Sequence, residues 1–388
     1  MQKSNQYDVI VVGVGGMGSS TCYQLAKRGA KVLGLEQFDI PHNQGSSHGF
    51  TRIIRLAYYE GPSYVPLLRR AYQLWAEIEQ VSGEQIFHKT GSLDIGAADS
   101  MVFTGSLKSC LFHDIPHEIL TGSEVNKRFP GYQVPTDYRA LYQPDGGFLL
   151  PERATVAFVE AAQKLGATIQ AREQVLNWET TKNGGVRVET NRGVYEAAKL
   201  VFTSGAWNRK LLPILADLAI PERQVLAWLQ PTQPELFTPE RFPVFIIQLG
   251  EEHYYGFPIF GVPGFKFGKF HHLEEKGTPE SFDWTPNLED EKVLRRLSER
   301  VFPAGNGPTM SLKTCMFTNS PDEHFILDVH PDYPQVSFAA GFSGHGYKFA
   351  SVIGEIMADL AIDGETKLPI SPFRVGRFGE SSDSQNNL

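Results

Sequence analysis

The alternation of apolar and polar positions is absent at the start of the chain. Tyr7-Asp8-Val9-Ile10-Val11-Val12 is apolar after Asp8, as a strand covered on both faces requires. It runs directly into Gly13-Val14-Gly15-Gly16-Met17-Gly18. The next stretch, 19–28, has helical composition, with Tyr23, Leu25 and Ala26 on its apolar side and Gly29 where a C-cap belongs. A second apolar strand, 31–35, stops at Glu36.

Further along, the spacing predicts an amphipathic helix over 67–78, a strand-rich stretch over 87–95, and a helix over 152–165 closed by Gly166, with a short strand at 168–170. Strand-like runs follow at 186–189, 198–203 and 244–249, and 199–203 ends in Ser204-Gly205-Ala206-Trp207. The alternation predicts a parallel sheet that the chain leaves and re-enters. Residues 222–270 are strand-dominated, with turns at Pro231, Pro234 and Pro239, and read as a second, mainly β region inserted in the first. Strands at 325–328 and 336–340 then lead to Gly341-Phe342-Ser343-Gly344-His345-Gly346 and a helix over 347–362 with Phe349, Val352, Ile353, Ile356 and Leu360 on its apolar face. Only 381–388 reads as a disordered tail.

Composition narrows the function classes. The 388 residues are 41% hydrophobic and carry a formal charge of -8, with no dense basic run, which speaks against a nucleic-acid partner. No apolar stretch reaches the roughly 18 residues of a membrane span, and the N-terminus does not read as a signal peptide, so a cytoplasmic protein is expected. Cys22, Cys110 and Cys315 are too scattered for a disulfide framework or a zinc site, and no metal is expected.

The first sixty residues carry the clearest chemistry. In the order strand, glycine turn, helix, strand, acid, Gly13 permits the tight turn, Gly15 lets the backbone approach a pyrophosphate, and Gly18 lets the helix lie close on the sheet. The helix start offers amides to phosphates, and Glu36 suits a ribose hydroxyl pair. This pattern alone separates neither NAD from FAD nor an enzyme from a binding module. An NAD-dependent dehydrogenase and a non-catalytic flavin-binding redox sensor both remain open on these residues.

Other motifs discriminate. Besides GVGGMG and Glu36, the chain carries Gly45-Ser46-Ser47-His48-Gly49 leading to Thr51-Arg52-Ile53-Ile54-Arg55, then Tyr254-Tyr255-Gly256-Phe257-Pro258, Lys266, Cys315, and Ser343-Gly344-His345-Gly346-Tyr347-Lys348-Phe349. With these it resembles the monomeric sarcosine oxidase and N-methyltryptophan oxidase family of covalent flavoproteins over nearly its whole length.

The resemblance implies a mixed α/β fold: a discontinuous Rossmann-type FAD-binding domain (1–88, 147–220 and 322–388) with an inserted, mainly antiparallel β-sheet substrate domain (89–146 and 221–321). It implies FAD bound through Gly13, Gly15, Gly18, Glu36, Ser46, His48, Arg52, Val175, Gly344, Gly346 and Lys348, and attached through a thioether to Cys315. Arg55 and Lys348 would clasp a substrate carboxylate, the first as a planar fork and the second as a point charge. His48 and Arg52 would face the flavin ring. Lys266 would be the cation that activates dioxygen, although its place in Phe265-Lys266-Phe267 would also suit an outward-facing strand residue. Tyr255 matches a pocket tyrosine of the family. The chain departs from the sarcosine oxidase pattern at Phe270, where that enzyme has a histidine, and at Phe317, where it has a tyrosine. His271 and His272 lie one and two places along, and a one-residue slip on a strand turns a side chain to the other face. The implied activity is oxidation of secondary amino acids by a monomer using dioxygen. Two polar groups fewer in the pocket favour a substrate bulkier than sarcosine, such as N-methyltryptophan, pipecolate or a glycated amino acid.

Overall fold

A computed structural model describes residues 6–379, so the tail 381–388 lies outside the described residues. Strand Gln6–Val12 is central to the first eight-stranded sheet and pairs in parallel with Val32–Leu35 on one side and Val194–Phe202 on the other. The chain leaves this sheet and returns to it twice. Thr168–Gln170 adds in parallel beside Val32–Leu35, and Val336–Ala340 adds in parallel beside Val194–Phe202. Val9 and Val11 point into a core shared with Leu25, Phe158, Val352 and Ile356, whereas Ile10 and Val12 point into another with Leu33, Phe202 and Phe338. Both faces are thus covered, which is why the strand carries no polar alternation.

The second eight-stranded sheet is assembled from Ser92–Gly96, Glu118–Thr121, Arg139–Gln143, Ile220–Leu229, Val244–Leu249, Glu252–Phe257, Phe265–Lys269 and Thr309–Asn319. Its pairings are antiparallel except that between Val244–Leu249 and Ser92–Gly96. One face is filled by Phe242, Phe245, Phe265 and Phe302 with Leu294 and Leu297 from helix Leu288–Val301. Aromatic rings of this size dominate the burial energy of such a core. A three-stranded sheet of Arg52–Ile54, Gly147–Leu149 and Phe87–Lys89 lies between the segments of the two large sheets in sequence.

Several boundaries differ from the sequence expectation. The first helix is Gly16–Lys27, so it starts inside the glycine motif, three residues earlier than expected. The last expected helix opens with a 3-10 turn at Tyr347–Phe349 before Ala350–Ile362. The stretch 87–95 splits between sheets, Phe87–Lys89 joining the small one and Ser92–Gly96 the second large one. Helices Met101–Phe112, Gly122–Arg128 and Leu288–Val301 were not anticipated. Met101–Phe112 exposes Met101, Leu111 and Phe112, which blurs its apolar stripe. The other two carried readable signals, capping boxes at Thr121/Glu124 and Asn287/Asp290.

Candidate active site

One elongated cavity, with about 1930 Å³ of empty space including that open to solvent, runs from the end of the first strand to the second sheet. Its near end is backbone. Gly13, at φ 88°, could not carry a Cβ, which would lie 2.6 Å from the Ser204 Cα, and a Cβ on Gly18 would overlap the Gly13 carbonyl oxygen. Gly15 differs: nothing lies within 4 Å of its missing Cβ, so the open side faces the cavity it lines. Glu36 is buried on the same wall, its Oε2 accepting from the Val14 amide at 2.9 Å and its Oε1 from Phe38 at 3.1 Å. Each oxygen keeps a lone pair for a further donor. Val175 and Ser46 line the cavity too, Ser46 Oγ donating to the Met316 carbonyl at 2.7 Å.

The far end is made of side chains from distant segments. Arg52, Tyr255, Phe270, Cys315, Phe317, Gly344, Gly346 and Lys348 all line it. The Tyr255 ring packs edge-on to Phe270 at 4.9 Å, and Phe270 lies 5.9 Å from Phe317, giving an apolar wall. Burial raises the Tyr255 pKa, so its hydroxyl stays protonated. Gly344 is required there, since a Cβ would lie 2.5 Å from the Phe317 ring. Arg52 Nη2 donates to the Ser46 carbonyl at 2.6 Å and stands 3.9 Å from the Cys315 Sγ, which is a buried free thiol.

Three expected side chains, Arg55, His48 and Lys266, sit off this wall. Arg55 is fully buried, with Nη1 donating to the Ala57 carbonyl, Nη2 on Glu60 at 3.0 Å and Nε 3.5 Å from Asp94. Burial opposes its charge, but Asp94 and Glu60 outweigh that and raise its pKa. The cavity is lined by Glu60 rather than by Arg55. His48 lines a smaller neighbouring cavity, and its buried Nε2 has no partner among the described residues. Burial, with Arg52 and Lys266 nearby, pushes its pKa down to about 3, so it is neutral. Lys266 faces neither solvent nor the cavity wall. It is buried behind Phe257, which does line the cavity, with Nζ 4.3 Å from that ring centroid. The outward-facing reading of Lys266 fails because Trp228 covers the same side of the sheet at 5.5 Å.

Neither His271 nor His272 reaches the cavity. His271, at φ 50°, turns to Glu222 at 3.0 Å and Glu323 at 3.2 Å, and those carboxylates raise its pKa to about 10. His272 is buried on Asp290 at 2.9 Å, beside the bidentate Arg223–Asp290 pair.

Sequence reasoning missed three residues. Glu60 faces the far end and holds Arg55, while Tyr58 Oη and His345 Nδ1 lie 2.6 Å apart beside Lys348. Tyr58 and Glu60 lie within five residues of Arg55, and His345 lies inside the glycine turn, yet nothing local marks their pairing across 287 positions.

A parallel sheet with a glycine turn at the end of its central strand, and a deep cleft reaching from that turn to reactive groups on a second sheet, define a dinucleotide-dependent oxidoreductase. The chain belongs to the FAD dependent oxidoreductase family, whose match spans residues 8–360. It is 40% identical over 380 residues to monomeric sarcosine oxidase of Bacillus sp. (strain NS-129), covering 96% of this chain and 97% of that protein. It is 35% identical to N-methyl-L-tryptophan oxidase of Salmonella enteritidis PT4, covering 97% of this chain and all of that protein. The solved structure of NikD, an unusual amino acid oxidase essential for nikkomycin biosynthesis, superposes with a TM-score of 0.82 at 26% identity, over 95% of this chain and 97% of that one. The family sets the NAD reading aside. The residues present suit FAD: an open glycine where a pyrophosphate must approach, a buried carboxylate with spare lone pairs for a ribose, and a cleft that continues from that turn to the second sheet.

Proposed function

We propose that this protein is an oxidase of secondary amino acids, N-methylated or cyclic, of which sarcosine is the simplest, yielding an imine and hydrogen peroxide. The imine then hydrolyses to an aldehyde and an amine. The observation that carries this reading is the far end of the cavity, where an apolar ring wall shares the lining with a carboxylate-binding corner made by Lys348 and by Arg55 behind its partner Glu60. FAD bound along the cleft would supply the redox chemistry, an acceptor for the hydrogen and two electrons lost from the substrate carbon next to nitrogen and a donor of those electrons to dioxygen. Gly13, Gly15, Gly18, Glu36, Ser46, Val175, Gly344 and Gly346 would hold it, and Cys315 would anchor it through a thioether. Arg52 places positive charge beside the Cys315 sulfur, and His48 is held neutral by burial and by the nearby Arg52.

The substrate carboxylate is held by Lys348 and, by exchange with the Glu60 carboxylate, by Arg55, since Glu60 is the Arg55 partner that faces the cavity. Such a clasp fixes the substrate and shortens the list of reactive poses. Tyr255, Phe270 and Phe317 exclude water from the reacting carbon. Lys266 contributes positive charge from behind Phe257. The division into the nucleotide and substrate domains at the boundaries above belongs to the same proposal, as do a monomeric state, in line with the names of the sarcosine oxidases, and a cytoplasmic site of action, which three free, buried cysteines suit.

Phe270 and Phe317 favour N-methylated hydrophobic amino acids or pipecolate over sarcosine, because each buried methylene adds about 1–3 kcal/mol of discrimination. In a peroxide assay the former should exceed sarcosine in kcat/KM by at least tenfold, and Phe317→Tyr should narrow that ratio. Colour that survives acid precipitation, and is lost in Cys315→Ala, checks the anchor. A strong preference for sarcosine would overturn the bulky-substrate reading, and absence of peroxide from every secondary amino acid would overturn the oxidase.

A further inference from the structure

The two cations at the carboxylate-binding corner are built differently. Arg55 has carboxylates at 3.0 and 3.5 Å. Lys348 is equally removed from water, 6% exposed, yet no carboxylate oxygen among the described residues lies within 4.0 Å of its Nζ. Two neutral oxygens surround it instead, the His345 carbonyl at 2.6 Å and the Tyr58 hydroxyl at 3.5 Å.

The roles of these oxygens can be deduced. His345 Nε2 lies 3.0 Å from the Glu323 carbonyl, which can only accept, so Nε2 carries the ring hydrogen. Nδ1 therefore accepts, and the Tyr58 hydroxyl, 2.6 Å away, spends its hydrogen there. Tyr58 Oη is left as an acceptor toward Lys348. An amine has two hydrogens and one lone pair, and the two acceptors match the two hydrogens, leaving the lone pair free on a residue that lines the cavity.

We propose that Lys348 meets the substrate as a neutral amine and takes the proton of the incoming amino acid's ammonium, with Tyr58 as the residue that positions its Nζ for this. The inference rests on the proposed oxidation of amino acids. An N–H bond of the substrate ammonium breaks, its electron pair stays on the substrate nitrogen, and a new N–H bond forms on Nζ. The product is the unprotonated amine, the form whose lone pair can assist oxidation of the adjacent carbon. The new ammonium lies where the substrate carboxylate binds, so a zwitterion enters a dry cavity and the total charge there is unchanged. This matters because an uncompensated charge in such a site is costly.

The surrounding charges agree. Glu60 on the segment after Arg55, Arg55 itself, and Asp94 on strand Ser92–Gly96 are the charged groups acting on Lys348, with His345 neutral beside it. Burial is the largest influence and Glu60 opposes it, bringing the Lys348 pKa down to about 7. Glu60, the other base on the wall, is disfavoured as the acceptor: burial raises its pKa, but the opposing influences, led by the Arg55 guanidinium, hold it below the usual value.

The test is calorimetric binding of two ligands to the holoenzyme across pH 6–9. 2-Aminoisobutyrate has no hydrogen on its α-carbon and isobutyrate is the same molecule without the amine. Isobutyrate must draw a proton from solvent, so above pH 7 its affinity should fall about tenfold per unit, with close to one proton taken up at pH 8 in buffers of different ionisation enthalpy. 2-Aminoisobutyrate brings its own proton, so above pH 7 its affinity should stay level with no proton exchanged at pH 8, whereas below pH 7, where Nζ already carries a proton, its affinity should fall and a proton should be released. Lys348→Met should abolish the isobutyrate slope, and Tyr58→Phe, which removes one acceptor of the ammonium, should move its midpoint to lower pH. Equal slopes for the two ligands, a slope surviving Lys348→Met, or rejection of 2-aminoisobutyrate alone would overturn the proton transfer. An unmoved midpoint in Tyr58→Phe would overturn the positioning role. Binding of neither ligand at any pH would overturn the carboxylate-binding corner, and this inference with it.

Discussion

The two ends of the cavity are built on different principles. At the nucleotide end the wall starts in backbone, and its motif, Gly13 to Glu36, is one short stretch of chain, joined by Val175 and 203–207. At the far end the wall is side chains, and their partners are remote: Lys266 is held by Gly49 and Thr51 more than 200 positions away, and Tyr58 meets His345 across 287. A backbone wall can be broken only by adding atoms, whereas a side-chain wall can be retuned by exchanging them. Changes at the first end should therefore decide whether a cofactor is held, and changes at the second which chemistry follows.

The glycines give the largest effects and separate folding from binding. A Cβ on Gly18 would overlap the Gly13 carbonyl oxygen, so Gly18→Ala should destabilise the protein by about 3 kcal/mol, the upper range for overpacking. Gly15→Ala meets no protein atom, so the flavin-free protein should keep the wild-type melting temperature while binding flavin roughly 10²-fold less well, if the same overpacking cost falls on the ligand instead. Melting curves and flavin content per protein measure the two. Normal flavin content in Gly15→Ala would remove the distinction between backbone and side-chain walls.

The same contrast explains what could be read from the sequence. The apolar strand, the glycine turn and Glu36 announce themselves because their chemistry is local. The far end offered only residue types, and the resemblance, not periodicity, brought Cys315, Lys266 and Lys348 together. Pattern misjudged Lys266, since alternation along Phe265–Lys269 says that successive side chains face opposite ways but not that both faces are covered. Glu60 escaped notice because a carboxylate five residues from an arginine is common, and only the fold makes it the arginine's cavity-side partner.

Lys266 and Lys348 sharpen the comparison within the far end. Lys266 Nζ donates to three oxygens, Gly49 O at 2.6 Å, Thr51 O at 2.8 Å and Thr51 Oγ1 at 2.9 Å, which match the three hydrogens of an ammonium. Burial, with Arg52 nearby, pulls its pKa well below the usual value, yet this set of acceptors favours the charged form as the two around Lys348 do not. If Lys266 serves as the dioxygen-side cation, Lys266→Met should slow reoxidation of the reduced enzyme on the order of 10²-fold and barely change reduction by substrate. Rapid-mixing measurement of the two half-reactions decides it. Equal losses in both would make Lys266 a structural tie for the 49–51 loop.

The smallest expected effect lies where the two halves are pinned together. His271, beside the cavity residue Phe270, bridges Glu222 on the second sheet and Glu323 on the loop that precedes strand Ile326–Val329 of the first. Its side chain is 33% exposed and that of Glu323 is 62% exposed, so solvent screening leaves the bridge on the order of 0.5 kcal/mol. The sign follows from a pKa raised in the folded state to about 10, with the hydrogen bonds that the ring donates to Glu222 and then Glu323 as the leading causes. Folding favours the protonated ring, so the contribution is fully present below about pH 6.5, the ordinary value for histidine, and is lost as pH rises through about 10. Urea midpoints of wild type and His271→Gln should accordingly differ more at pH 6 than at pH 10. A gap that widened with pH would mean that the ring is held neutral between the two carboxylates, and the bridge would then not be an ion pair at all.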